Sequence, residues 1–282
     1  MRVAKAHGLG NDFLLVEEAD CPAAADGWAR RLCDRHTGVG ADGVLVYGVS
    51  GGSARMRLIN ADGSEAEISG NGLRCLAAWL SWKGRVPPAH VVETGAGARP
   101  VEVQPIGGTR FRVRTDLGPA ILDSRAIPVA LDPPSERVID HRLEAGEGTV
   151  AITATSLGNP HCAVFLDRPA TDGELAVLGP VLERHPFFPR RTNVEFVSVL
   201  GPDRLRVRFW ERGVGPTLAS GTGSCAAALA AMLHNRVDNP VTVETELGSL
   251  RVERARDGDI LLTGPAELIC TGRYRIQHGL GG

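Results

Sequence analysis

Two stretches of the chain, 151 residues apart, carry the same arrangement of small polar residues and glycines. One is Ile68-Ser69-Gly70-Asn71-Gly72-Leu73-Arg74-Cys75, leading into Leu76-Ala77-Ala78-Trp79-Leu80. The other is Ala219-Ser220-Gly221-Thr222-Gly223-Ser224-Cys225, leading into Ala226-Ala227-Ala228-Leu229. Each is a G-x-G turn that feeds a run of strong helix formers. Such a turn leaves backbone N–H groups without partners at a helix N-terminus, where they can hold a carboxylate. Two copies predict two facing anion cradles around one small ligand.

The likeness extends beyond the turns. Val92-Glu93-Thr94 and Val243-Glu244-Thr245 keep the 151-residue offset, as do Arg57-Leu58 and Arg208-Phe209. Leu9-Gly10-Asn11 returns as Leu157-Gly158-Asn159 at an offset of 148, a slip that one short insertion explains. A period this long predicts two equivalent domains rather than a solenoid, whose repeats run to about 20–50 residues. The expected division is 1–117 and 118–264, with the C-terminal strand in 265–282 returning to the first half.

With 282 residues, 43% hydrophobic and 23% charged, the chain has the size and composition of a two-domain soluble protein. A formal net charge of −2 provides no electrostatic footprint for nucleic acid or an anionic membrane. No run of about 18 apolar residues predicts a membrane span, and Met1 to His7 has no apolar core of a signal peptide. A cytoplasmic location is the expectation. The six cysteines, Cys21, Cys33, Cys75, Cys162, Cys225 and Cys270, form no C-x-x-C pair, so they are expected to be small buried hydrophobes. The histidines lack metal-site spacing too, and no metal is expected.

Strands are predicted at Phe13–Val16, Gly43–Tyr47, Arg55–Ile59, His90–Glu93, Arg99–Gln104 and Arg110–Thr115, with a short helix over Trp28–Arg35. Asn60–Glu67 is expected to be a polar loop, followed by a helix to about Lys83 that stops at Gly84. Proline-rich Pro119–Glu136 is the expected crossing between halves. Beyond it, strands are predicted at Thr149–Thr155, Cys162–Leu166, Asn193–Val199, Arg204–Trp210, Val241–Thr245, Ser249–Arg254, Ile260–Thr263 and Tyr274–Ile276, with a helix over Gly223–His234. A helix apolar all round belongs inside its sheet. The expected fold class is α+β, two pseudo-symmetric domains, each a mixed sheet wrapped around a central helix.

Several blocks together resemble the diaminopimelate epimerase family over essentially the whole chain. They are His7-Gly8-Leu9-Gly10-Asn11-Asp12-Phe13, Asn60-Ala61-Asp62-Gly63-Ser64-Glu65 with Gly70-Asn71-Gly72, Gly158-Asn159-Pro160-His161, Arg191-Thr192-Asn193-Val194-Glu195, Trp210-Glu211-Arg212-Gly213 and Gly221-Thr222-Gly223. Singly, only the Gly-Asn-Gly and Glu-Arg-Gly blocks carry weight. The resemblance implies two pseudo-symmetric halves that close around a small amino-acid substrate, and a homodimer. It implies interconversion of LL- and meso-diaminopimelate without a cofactor, for lysine and peptidoglycan precursors. One thiolate removes the Cα proton while a thiol on the opposite face delivers another. By the same resemblance Asn11, Asn60, Gly70, Asn71, Asn159, Asn193, Glu211, Arg212, Gly221 and Thr222 bind substrate, while His161 and Glu211 tune the two acid–base groups. Amides suit a zwitterion, since they bond carboxylate or ammonium without adding charge.

The chain departs from the pattern where the chemistry happens. Ser69 and Ser220 stand immediately before Gly-Asn-Gly and Gly-Thr-Gly, where the family has its catalytic cysteines. Cys75 and Cys225 lie six and five residues further on, inside the helices, roughly 7–9 Å along the axis. Serine admits three readings here: a natural replacement, an introduced one, or a hydroxyl activated by His161 or Glu211. A thiol titrates near about 8.5 and a serine hydroxyl several units higher, so each base loses on the order of 5 kcal/mol unless activated. Pro216 departs too, standing where many relatives carry an acidic residue. Besides epimerisation, two alternatives follow: an activated-serine racemase, isomerase or dehydratase of another amino acid, and an inactive amino-acid binder.

Overall fold

A computed structural model describes residues 1–22, 27–66, 68–146 and 148–275. The chain divides into two compact units, Met1–Thr115 with Gly264–Gly282, and Asp116–Thr263.

In the first unit the order is β1 (Arg2–Gly8), β2 (Asn11–Glu17), α1 (Trp28–Cys33), β3 (Gly43–Ser50), β4 (Ser53–Asn60), β5 (Glu65–Ala66), α2 (Gly70–Trp82), β6 (Ala89–Thr94), β7 (Gly97–Gly107) and β8 (Arg110–Pro119). Pairing runs β1–β2 antiparallel, β2–β3 parallel, β3–β4 antiparallel, β4–β6 parallel, then β6–β7 and β7–β8 antiparallel. Helix α2 packs against β1, β2 and β7, strands far apart in that order, so the sheet curls around it. The helix is buried from Gly70 to Leu80, and its Leu73, Leu76, Ala77 and Leu80 join Phe13, Leu15, Leu45, Val92, Val101 and Val113 in one core. It ends where Gly84 takes φ 61° and the Arg85 N–H reaches back to the Leu80 carbonyl at 3.0 Å.

The second unit contains β9 (Val138–Ala145), β10 (Gly148–Ser156), β11 (Pro160–Phe165), α3 (Asp172–Glu183), β12 (Asn193–Gly201), β13 (Arg204–Glu211), β14 (Gly215–Thr217), α4 (Gly221–Leu233), β15 (Val241–Thr245), β16 (Gly248–Arg254) and the start of β17 (Asp259–Arg273). Its pairings repeat the first unit's alternation: β10–β11 antiparallel, β11–β12 parallel, β12–β13 antiparallel, β13–β15 parallel, β15–β16 and β16–β17 antiparallel. Helix α4 touches β10, β11, β12, β13, β15 and β16, the same central placement as α2. The internal repeat is therefore a repeat of topology, and the α+β class with a sheet around a central helix describes each unit. Past the unit boundary β17 continues beside β1, pairing Arg2 with Arg273 and His7 with Glu267.

Five expectations need correction. The chain changes unit inside β8, at Thr115/Asp116, and the proline-rich stretch belongs wholly to the second unit. Helix α3 and strand β9 are additional elements of that unit. The Asn60–Glu67 loop contains β5, whose Glu65 and Ala66 pair with Ile59 and Leu58; Glu67 lies outside the described residues. The last strand is longer and earlier than expected, since β17 runs unbroken through 264 and stops at Arg273, before Tyr274; Ile276 is outside the described residues. Cys33, Cys75, Cys162 and Cys225 are buried, whereas Cys21 is half-buried and Cys270 is exposed at the far end of β17.

Candidate active site

In the first unit, Ser69 is the N-cap of α2. Its extended backbone (φ −130°, ψ 124°) turns the chain into the helix, and its Oγ accepts the Gly72 N–H at 3.1 Å. A side chain at Gly72 would stand 3.1 Å from Leu45 Cδ2 and 3.3 Å from Ser69 Cβ, so the turn packs closely on β3. Gly70 and Asn71 form the first turn, whose N–H groups give the helix end its positive character. Asn71 is buried; its Nδ2 donates to Asn11 Oδ1 at 3.1 Å, and its own Oδ1 accepts from Arg74.

Asn11 in turn donates to Asp42 Oδ2 at 2.7 Å, and Asp42 also accepts the Asp12 N–H at 3.0 Å. The Asp42 carbonyl accepts from Ala61 N, while Asn60 closes the next turn by donating to Ser64 Oγ at 3.0 Å. Asn11 and Asn71 are thus linked directly to the serine turn, whereas Asn60 does turn work one hydrogen bond removed from Asp42. The spacing of these asparagines says nothing of Asp42, which collects them. Its signal in the sequence was only an Asp before a strand.

Behind this network Asp12 meets Lys5 Nζ at 2.9 Å and both Arg35 nitrogens at 2.8 and 3.2 Å. Burial opposes its charge, but hydrogen bonds from Arg35 and Lys5 outweigh burial and hold its carboxyl below the usual carboxylate range. A depressed carboxyl pKa stabilises the fold above the unfolded value of about 3.9, and that contribution is lost as pH falls through the folded pKa. Asp12→Asn is expected to cost about 1–2 kcal/mol at neutral pH, discounted because Arg35 is half exposed. Urea titrations of both proteins should show the gap closing below about pH 4.

In the second unit, Ser220 (φ −136°, ψ 129°) caps α4 in the same way, accepting the Gly223 N–H at 3.3 Å, while Ser224 Oγ donates to the Ser220 carbonyl at 2.6 Å. Gly221 is buried and Thr222 half-buried in the first turn. Parallel pairing of β11 with β12 sets His161 beside Asn193. His161 Nδ1 lies 2.7 Å from Glu195 Oε1 and Nε2 lies 3.0 Å from Asn159 Oδ1, so both ring nitrogens are occupied. The His161 and Glu195 side chains are each 1% exposed. Burial, which the His161 interaction only partly opposes, raises the Glu195 carboxyl above its usual range.

Glu195, which the motif Arg191-Thr192-Asn193-Val194-Glu195 contains without assigning it a role, is central to this cluster. A Cβ at Gly223 would come within 3.0 Å of Glu195 Oε1, which places the carboxylate directly under the first turn of α4. Its readable sign was an acid in the otherwise apolar run Val194-Glu195-Phe196-Val197.

Asn193 Oδ1 accepts the Arg212 N–H at 2.9 Å and its Nδ2 donates to the Pro160 carbonyl at 3.2 Å, so it ties β11 to the turn after β13. Glu211 accepts from Thr217 Oγ1 at 2.8 Å, and Arg212 Nη1 donates to the Arg190 carbonyl at 3.2 Å. Pro216 sits within β14 opposite Trp210. Among the described residues neither capping hydroxyl is bonded to an imidazole or carboxylate. Cys75 and Cys225 are fully buried in their helices, and burial pushes the Cys75 thiol up to about 12.

These capped turns can be set against known proteins. The diaminopimelate epimerase family model matches residues 3–122 and 153–269. The chain belongs to the diaminopimelate epimerase family. A diaminopimelate epimerase of Synechococcus elongatus is 44% identical over 281 residues, 98% of this chain and 99% of that protein. One of Pelotomaculum thermopropionicum is 44% identical over 280 residues, 97% of this chain and 99% of that protein. Among solved structures, a predicted epimerase from Pseudomonas aeruginosa superposes with a TM-score of 0.69 at 16% identity, covering 98% of this chain and 99% of that one. A hydroxyproline epimerase from Agrobacterium vitis gives 0.68 at 15% identity, covering 96% and 91%; at these identities the likeness is one of fold. Among the described residues no helix is long and apolar enough to cross a membrane.

Proposed function

We propose that the chain binds diaminopimelate and interconverts its LL and meso forms by proton exchange at Cα, with Ser69 and Ser220 in the two acid–base positions. The observation that carries this reading is the pair of serine-capped G-x-G helix N-termini, one in each unit of a diaminopimelate epimerase family chain. The amides of Gly70 and Asn71 and those of Gly221 and Thr222 are the donors for a substrate carboxylate whose charge grows as the Cα proton leaves. Arg212 supplies a guanidinium for a second carboxylate, and the amides of Asn11, Asn71 and Asn159 suit an ammonium or carboxylate alike.

Turnover is slow in this reading because, among the described residues, neither capping hydroxyl is hydrogen-bonded to an imidazole or a carboxylate. A Ser220 proton would need an acceptor, and His161 already spends one nitrogen on Glu195 and the other on Asn159. The same point weighs against an activated-serine enzyme acting on a different amino acid. A cytoplasmic homodimer is the assembly we propose, with sedimentation of the purified chain as its test.

Calorimetric titration with meso-diaminopimelate, paired with deuterium uptake from D₂O at Cα, tests the function. Binding with slow uptake is expected. Absence of binding overturns the reading, and fast uptake of deuterium into another amino acid favours the diverged enzyme instead.

A further inference from the structure

Helix α3 ends in a clasp that holds the Glu211-Arg212 turn. Glu183, in its last turn, is 2% exposed. Its Oε2 accepts the Trp210 indole N–H at 2.9 Å and its Oε1 accepts the Gly213 backbone N–H at 3.0 Å. Those two donors bracket Glu211 and Arg212 in the sequence. One turn earlier in α3, Gly179 lies flat against the indole: a Cβ there would stand 2.5–2.7 Å from Trp210 Cδ2, Cε3 and Cγ. The turn itself is tight, with Val214 N donating to the Glu211 carbonyl at 3.0 Å and Gly213 at φ 76°. Arg191 Nη1 lies 3.6 Å from Glu183 Oε1, and hydrogen bonds from Trp210 and Gly213 hold the carboxyl below its usual range against the burial that would raise it. With each oxygen accepting a different N–H, this buried acid adds two anchors to the turn's own Val214–Glu211 bond and to the Arg212 N–H bond to Asn193.

We propose that Glu183 is a positioning residue for substrate recognition: by holding Trp210 and Gly213 on either side, it fixes the direction in which Arg212 meets a substrate carboxylate. This rests on the proposed function in one respect, the role given to Arg212. A guanidinium already held in place loses less freedom on binding, and that saving appears as affinity. Among the described residues no hydrogen bond links Glu183, Trp210 or Gly213 to the capping serines, so the expected signature is on binding rather than on the proton-transfer step.

Glu183→Gln tests the idea with little change in shape. The amide keeps one acceptor but turns an NH₂ group toward one of the two N–H donors, so one bracket opens. Gly179→Ala presses on the indole from the other side without touching the carboxylate. Each variant should raise the dissociation constant for meso-diaminopimelate at least tenfold, speed hydrogen exchange at the Gly213 amide and shift the Trp210 indole ¹H–¹⁵N signal. Val138→Ala, in strand β9, serves as a destabilised control and should lower Tm while leaving affinity within twofold. Affinity unchanged in both variants, or lost equally in the control, overturns the proposal. Failure of the unaltered chain to bind overturns the proposed function and this inference with it, whereas binding that both variants retain overturns this inference alone.

Discussion

Replacing both capping serines together, Ser69→Cys with Ser220→Cys, is expected to raise the rate of Cα exchange on LL-diaminopimelate by several thousandfold or more. The size follows from acidity. A serine hydroxyl titrates several units above the thiol's value of about 8.5, and each unit is about 1.36 kcal/mol, so each position forfeits on the order of 5 kcal/mol as a base. Either single replacement should recover much less than the pair, because the proposed mechanism gives proton removal and proton delivery to different residues and the slower one sets the rate. The helix ends assist the thiol, since their amides favour the anion. The buried Cys75 and Cys225 offer no bypass: the fully buried thiol of Cys75 is already pushed up to about 12. A thiol is a poorer cap than a hydroxyl, and losing each cap costs about 1 kcal/mol, so the double variant should melt a few degrees lower while working far faster. Stopped-flow or NMR exchange rates beside thermal melts separate the two effects.

The second large effect is on stability. Glu195→Ala is expected to cost about 3–5 kcal/mol, because it strips the partner from a buried imidazole and opens space under the first turn of α4. For a chain of this size that lowers Tm by roughly 10 °C. Glu195→Gln should cost about 1 kcal/mol, since the amide still bonds His161 Nδ1. Urea melts of the two variants distinguish a bond that holds the imidazole from simple packing: equal losses in both would show that the charge itself matters more than the contact.

Much of this fold was readable because its two central helices announce themselves. Ser69 and Ser220 are good caps, alanine and leucine follow, and Gly84 stops the first helix. Helix α3 was harder. Gly173, Gly179 and Pro180 break its apolar pattern, and the structure explains one of them, since Gly179 makes room for Trp210. Two signals for it were nevertheless present: the Thr171-Asp172-Gly173-Glu174 capping box, and the repeat itself, which places a helix between β11 and β12 to match α1 between β2 and β3. Strand β9 hid behind Asp140, His141 and Arg142, with Asp140 at φ 51° interrupting its alternation. Of the candidate site, type and spacing alone point to the two serine-capped G-x-G turns, whereas Asn11, Asn60, His161, Asn193 and Glu211, which lie in strands, come only from the family resemblance. Asp42 and Glu183 carry no such signal and Glu195 only the faint one of an acid in an apolar run, because each bonds other protein groups and a lone acid in a chain has no spacing to read.

The central claim is that two different residues, Ser69 and Ser220, handle the proton at one carbon. It is tested most directly by running the Ser69→Cys, Ser220→Cys chain on LL-diaminopimelate in D₂O and measuring Cα deuterium in substrate and product at early conversion. Newly formed meso product carrying deuterium while the remaining LL substrate keeps its protium is the expected result. Product that retains the substrate's own protium would contradict the account, because it would mean that one group both takes the proton and returns it.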